Sequence, residues 1–294
     1  MEYVYLLCAI ILYFPLILAN KLGSEGTEER AILFKYSFYR SLIGVVVGGI
    51  ILAFAGSKIS IDLYTVLTSL MFGIMLGLCM IVTFYSMQVT TVAISSVFKS
   101  ASVIIPCIFG AIFFDETITI INIIGFILFL LSVYLIVSKE QKKKVNFGIK
   151  ALLACAGVLI TNGLGSISMQ LFGKYVPDGE EAVFMFFSYC VQSIVLLIIH
   201  LIYSSKHKEC QTSVISKKMW GYGIIGTTAA FLIQQIMAML ASKISSFVIF
   251  PVTTGSSVIM GAIIGWLCFR EKLTVKSMIG IIGGIISLIM INMF

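Results

Sequence analysis

Ten stretches of roughly 20 mostly apolar residues follow one another along this chain, and a helix needs a run of that length to cross the hydrocarbon core of a bilayer. They run approximately 2–19, 37–56, 64–86, 92–114, 118–138, 148–171, 182–203, 219–241, 246–269 and 274–293. The segments between them are short and polar, NKLGSEGTEER, SKEQKKKVN and FREKLTVK among them, and none could hold a soluble domain. Only 11% of the 294 residues are charged, against about 25% in a soluble domain. So few charges cannot cover a water-facing surface, which makes this an all-α integral membrane protein with ten expected transmembrane helices. No cleavable leader is expected, because the first apolar run begins at Tyr3 with no basic region before it and no small-residue cleavage site after it.

The net charge of +7 reports orientation rather than nucleic-acid binding, since the basic residues sit in the loops. Fifteen of the 20 Lys and Arg flank the loops after the odd-numbered runs, Lys139, Lys142, Lys143 and Lys144 among them, while the opposite side has Lys58, Lys174 and Lys243. Cytoplasmic loops carry the excess of Lys and Arg. The odd loops are therefore expected in the cytoplasm and both termini outside, in a multi-pass plasma-membrane protein. Two basic residues remain, Arg40 and Lys99.

Sliding the chain by 155 positions places Ser102 on Ser257, Gly110 on Gly265, Glu116 on Glu271, Thr119 on Thr274, Gly125 on Gly280 and Ser132 on Ser287. One unbroken register of Gly, Glu, Thr and Ser matches means duplication, with copies expected at 1–145 and 146–294. Five spans is an odd number, so the copies cross the membrane in opposite directions. The fold class expected is two inverted five-helix repeats, an architecture of many secondary transporters.

The segment ISSFVIFPVTTGSSVIMGAIIGWLCFREKLTVKSMIGIIGGIISLIMI resembles the closing two spans of the EamA-like branch of the drug/metabolite transporter superfamily. Phe84-Tyr85-Ser86-Met87-Gln88 is similar to the end of that family's third span, and Phe38-Tyr39-Arg40 to the start of its second. The resemblance implies a basket of helices with a substrate path between two halves. It names no substrate, since the superfamily carries amino acids, nucleotide sugars, sugar phosphates, cations and drugs. It also implies cytoplasmic termini, opposite to the charge count. Small multidrug members exchange protons through a glutamate inside their first span, whereas here Glu2 stands at the edge of EYVYLLCAIILYFPLILAN.

The seven cysteines show no CxxC spacing and the only histidines are His200 and His207, so neither a disulfide framework nor a metal site is expected. No catalytic constellation and no P-loop is present, so an enzyme or an ATP-driven pump is not expected, and no cofactor is implied. Rows such as Ser257, Gly261, Gly265 and Ser102, Pro106, Gly110 let helices approach closely. Glu116 and Glu271 are expected to close tight turns and accept hydrogen bonds from the N-terminus of the next helix. Arg40 reads as an interface anchor at the start of the second span.

Lys99 stands out, in AISSVFKSASVIIP, about eight residues into the fourth run and so roughly 12 Å along a helix. A lysine at that depth costs about 2.5–3.5 kcal/mol. It can snorkel toward the nearby loop, or it can face a central cavity and meet an anionic group of a substrate or a coupling ion. Its repeat partner is Thr254, so folding the unit does not require it, no acid inside a span offers it a partner, and Ser95, Ser96, Ser100 and Ser102 surround it with hydroxyls. The uncharged hydrogen-bonding residues Tyr13, Tyr189, Gln192, Gln234 and Thr254 join Lys99 and Ser96 as candidate substrate-binding residues, with Tyr13 and Pro15 expected to interrupt the first span. The expected function is alternating-access transport of a small polar metabolite, whose anionic group Lys99 would meet. The alternative is export of hydrophobic or aromatic compounds or amino acids by the same fold. The expected partners are a small-molecule substrate and the lipid bilayer. Direction, coupling ion and oligomeric state stay open.

Overall fold

The computed structural model describes residues 2–24, 30–54, 62–89, 92–116, 119–137, 148–176, 180–206, 215–269 and 275–292. Lys58, the lysines of 139–144, Lys208, Arg270, Glu271, Lys272 and the side chain of Ser96 lie outside the described residues. Within them are eleven helices and no strand. They are α1 (Glu2–Ser24), α2 (Arg30–Phe54), α3 (Leu63–Val89), α4 (Val92–Ala101), α5 (Ile104–Phe113), α6 (Ile120–Val137), α7 (Ile149–Tyr175), α8 (Glu181–Lys206), α9 (Lys217–Leu240), α10 (Ser246–Phe269) and α11 (Val275–Asn292).

Seven of these, α1, α2, α3, α7, α8, α9 and α10, are long and apolar enough to cross a membrane. The expected fourth, fifth and tenth spans are shorter: α4 and α5 have 10 residues each, α6 and α11 have 18 each. The fourth is divided because Pro106 has no N–H to return to the Ser102 carbonyl. That carbonyl instead accepts from Ile105 N at 3.1 Å, and the Ser102 hydroxyl folds back on the Lys99 carbonyl at 2.6 Å. The expected interruption at Tyr13 and Pro15 is absent, for α1 runs unbroken through Pro15. The second span begins earlier than hydropathy indicated, at Arg30, which puts Arg40 inside the helix rather than at its mouth.

The 155-residue offset reappears in the helices: 120 + 155 = 275 and 137 + 155 = 292, so α6 maps onto α11 end to end. Packing follows the same exchange. α3 lies on α7 and its counterpart α9 on α1, while the counterpart pairs α2 with α8 and α6 with α11 lie directly against each other. α2 and α8 are antiparallel. Phe34 meets Tyr203 and Phe38 meets His200 at one end, whereas Gly44 meets Tyr189 and Gly48 meets Phe186 toward the other. α3 runs parallel to α8, with Gly73 against Val191 and Gly77 against Val195.

The interior is built around Phe184, Phe231, Met169 and Met185, each at most 2% exposed. The outside is equally apolar: Phe54, Ile112 and Ile127 are 86%, 66% and 63% exposed. A water-soluble bundle would not leave so broad an apolar exterior uncovered, whereas lipid tails accept it. The tight approaches come from glycines. A Cβ on Gly44 would stand 2.1 Å from the Tyr189 ring, and one on Gly73 would stand 2.4 Å from the Ser188 carbonyl. Gly261, expected in a packing row, has open space beside it.

Candidate functional site

The α2–α8 crossing carries the polar groups that matter. α2 reads Tyr36, Arg40, Gly44, Gly48 at four-residue spacing, which sets all four near one face. The glycines admit the rings of Tyr189 from α8 and Phe231 from α9, whose centroids are 5.0 Å apart. One turn from that aromatic pair, Arg40 Nε donates to Thr227 Oγ1 of α9 at 3.2 Å, and its guanidinium carbon lies 5.7 Å from the Tyr36 ring centre. Tyr36 is held in turn by donating its hydroxyl to the Met219 carbonyl at 3.3 Å. Gly223 and Gly226 clear room on α9, for a Cβ on Gly226 would come within 3.5 Å of an Arg40 terminal nitrogen.

Arg40 is ten residues into α2, roughly 15 Å at about 1.5 Å per residue. A cation at such a depth costs about 2.5–3.5 kcal/mol. Among the described residues no carboxylate pairs with it, and Thr227 takes its only hydrogen bond. Along the same three helices are buried polar atoms with no hydrogen-bond partner among the described residues: Ser37 Oγ on α2, Gln192 Oε1 and Ser193 Oγ on α8, and, two turns beyond Thr227, Gln235 Oε1 on α9. Buried polar atoms are almost always satisfied by protein, water or ligand.

Of the residues expected from sequence, Tyr189 and Gln192 lie in this region, both buried. Tyr13 and Gln234 are half-buried, on α1 and α9 respectively. Thr254 is half-buried on α10, where its carbonyl accepts from Ser257 Oγ at 2.6 Å. Lys99 is exposed in the last turn of α4, a helix that packs on α3, α6 and α7 rather than on α2. Its carbonyl takes part in the α4–α5 junction, where Asn162 Nδ2 of α7 donates to Ser102 Oγ at 2.6 Å. The structure thus sets Tyr189 on the crossing that carries Arg40 and Thr227, with Gln192 one turn along α8, whereas Lys99 stands on a helix packed against other elements. Arg40 as a half-buried residue inside the helix was missed because a cation in a hydropathy window looks like a boundary. The apolar Ile32-Leu33-Phe34 before it and the glycines at 44 and 48 after it were the signal.

Glu116 does close a turn, but it caps a helix of the other half rather than the next one. Its carboxylate accepts from Ser245 Oγ at 2.9 Å, Ser246 N at 3.0 Å and Ser246 Oγ at 2.8 Å, at the start of α10. Gln170 of α7 ties the same corner to α5, donating to the Pro106 carbonyl at 2.9 Å and to Ser246 Oγ. Asp115 turns the backbone toward it with φ of 51°, and a Cβ on Gly110 would come within 2.9 Å of the Glu116 carboxyl.

A family model described as the EamA-like transporter family matches residues 3–138 and again 149–293. No curated protein sequence matches. A solved structure titled "Crystal structure of protein" is similar over 99% of this chain and 96% of its own, with a TM-score of 0.77 at 12% identity. At that identity the likeness concerns the fold alone.

Proposed function

The chain belongs to the EamA-like transporter family, and from that membership we propose that it is a secondary transporter moving a small polar metabolite across the plasma membrane by alternating access. Ten spans make up two inverted repeats, at 1–145 and 146–294, with α4–α5, α6 and α11 as the short ones and both termini outside. One observation carries this reading: α2 and α8, the second helices of the two segments matched by the family model, pack antiparallel along their length. Copies of one unit facing each other in opposite directions can exchange conformations, which opens the path first to one side and then to the other. Lys99, Ser96, Tyr13, Tyr189, Gln192, Gln234 and Thr254 line the path in this proposal. Transport, not enzymatic conversion, is the activity, and no cofactor enters it. The Tyr189–Phe231 pair is the feature that would favour the alternative, export of aromatic compounds or amino acids. Purified protein reconstituted into vesicles and offered a fractionated metabolite pool tests the reading. Protein-dependent, saturable accumulation of one solute class is expected, and uptake no faster than in empty vesicles contradicts it.

A further inference from the structure

Four observations converge one turn from the Tyr189–Phe231 pair. First, the helices touch at Gly44 and Tyr189 and run antiparallel. Arg40 precedes Gly44 by four residues and Gln192 follows Tyr189 by three, so both lie on the contact face and both are displaced toward the same end of the bundle. Second, Arg40 is a guanidinium inside a candidate membrane span, Ile32–Phe54, with no carboxylate partner among the described residues. Third, its one hydrogen bond uses Nε, which leaves the two terminal nitrogens, the pair that fits two oxygens of one acceptor. Fourth, Gln192 is 9% exposed, and its amide oxygen has no donor among the described residues. The adjacent Ser193 hydroxyl, 7% exposed, has no partner either.

A purely structural arginine would be expected to spend its terminal nitrogens on carbonyls or a carboxylate. Here Tyr36, fixed by Met219, packs its ring near the guanidinium, and Thr227 orients it through Nε. The side chain is held through Nε, while its two terminal nitrogens make no hydrogen bond to a described residue. The Gln192 oxygen demands the opposite partner, an N–H or O–H donor.

We propose that Arg40 and Gln192 form a two-point site for a small carboxylate that also carries a hydrogen-bond donor, a hydroxy acid or an amino acid. The carboxylate pairs with the Arg40 terminal nitrogens, and the hydroxyl or ammonium donates to Gln192 Oε1. The Tyr189–Phe231 pair floors the site, and Thr227 and Tyr36 are positioning residues for the guanidinium. This rests on the transporter reading and deepens it by naming the substrate class. It also assigns a part in anion recognition to α2, in addition to the one proposed for Lys99.

The test uses the full chain in lipid nanodiscs and needs no transport. Modification of Arg40 by phenylglyoxal is followed by peptide mass spectrometry in the presence of lactate, alanine or propionate. Lactate or alanine should protect Arg40 at concentrations roughly fivefold lower than propionate, the value of one satisfied hydrogen bond. Gln192→Leu should erase that advantage while leaving protection by propionate. Whichever of lactate and alanine protects better assigns the hydroxy-acid or amino-acid class. Arg40→Lys, which keeps the charge but not the fork, should weaken stabilisation by the better probe at least tenfold. Arg40 unreactive toward the reagent, no protection by any of the three, or equal protection by propionate overturns the proposal. Failure is distinguishable from failure of the transporter reading: protection without vesicle uptake sinks transport and keeps the site, whereas uptake without protection does the reverse.

Discussion

Gly44→Ala tests whether the α2–α8 crossing is as tight as the geometry requires. The new methyl carbon would stand 2.1 Å from Tyr189 Cδ1, 2.4 Å from Cε1 and 3.1 Å from Cγ. Ordinary carbon contacts lie near 3.5–4.0 Å, so the ring or the helix must move by more than an ångström. Tyr189 cannot yield easily, since it is 6% exposed and backed by Phe231, itself fully buried. Overpacking of this kind costs about 1–3 kcal/mol, and the upper half of that range is expected because both neighbours are constrained. The assay is a double-mutant cycle by thermal or denaturant unfolding in nanodiscs. Gly44→Ala alone should destabilise by about 2 kcal/mol, and in a Tyr189→Ala background the same change should cost less than about 0.5 kcal/mol. An unchanged Gly44→Ala protein, or an equal penalty in both backgrounds, would refute the packing argument and with it the placement of Arg40 and Gln192 one turn away.

Other consequences follow from single contacts. Glu116→Ala removes three hydrogen bonds from the start of α10 and should lower stability by about 2 kcal/mol, with Glu116→Gln recovering part of it; no loss in unfolding measurements would deny the cap. Lys99→Ala should leave expression and melting temperature near wild type and abolish binding of the transported solute, while Lys99→Arg keeps part of it; normal transport by Lys99→Ala makes the lysine a snorkelling anchor. A cysteine at Gln141 should be shielded from an impermeant thiol reagent in whole cells and one at Asp178 labelled, and the reverse pattern would place both termini in the cytoplasm.

Much of the architecture was legible because duplication leaves its mark in spacing. Glu116 and Glu271, Thr119 and Thr274, and Ser132 and Ser287 fixed an offset that α6 and α11 repeat. Helix breaks were harder. Pro15 and Pro251 sit inside continuous helices, whereas the chain breaks before Pro106. The difference is tertiary: the Ser102 hydroxyl folds back on Lys99 while Asn162 of a distant helix donates to it, and no local pattern encodes Asn162. Glu116 was legible as a cap, but not the helix it caps, because Ser245 and Ser246 are some 130 residues away. Arg40 was hidden for a related reason. Its cost in lipid is offset by Thr227 and Tyr36, and the pairing of α2 with α9 cannot be read from α2 alone.

A binding region offered alternately to the two sides of the membrane reveals itself in solute counterflow. Vesicles containing the protein are preloaded with an excess of unlabelled solute of the class that binds, and entry of a trace of labelled solute is followed. An alternating-access carrier returns from the loaded side bearing solute, so labelled solute should accumulate transiently above equilibrium, and the overshoot should vanish in Arg40→Gln. Entry that rises to equilibrium without overshoot, at the same rate with empty and preloaded vesicles, would contradict alternating access and describe a channel instead.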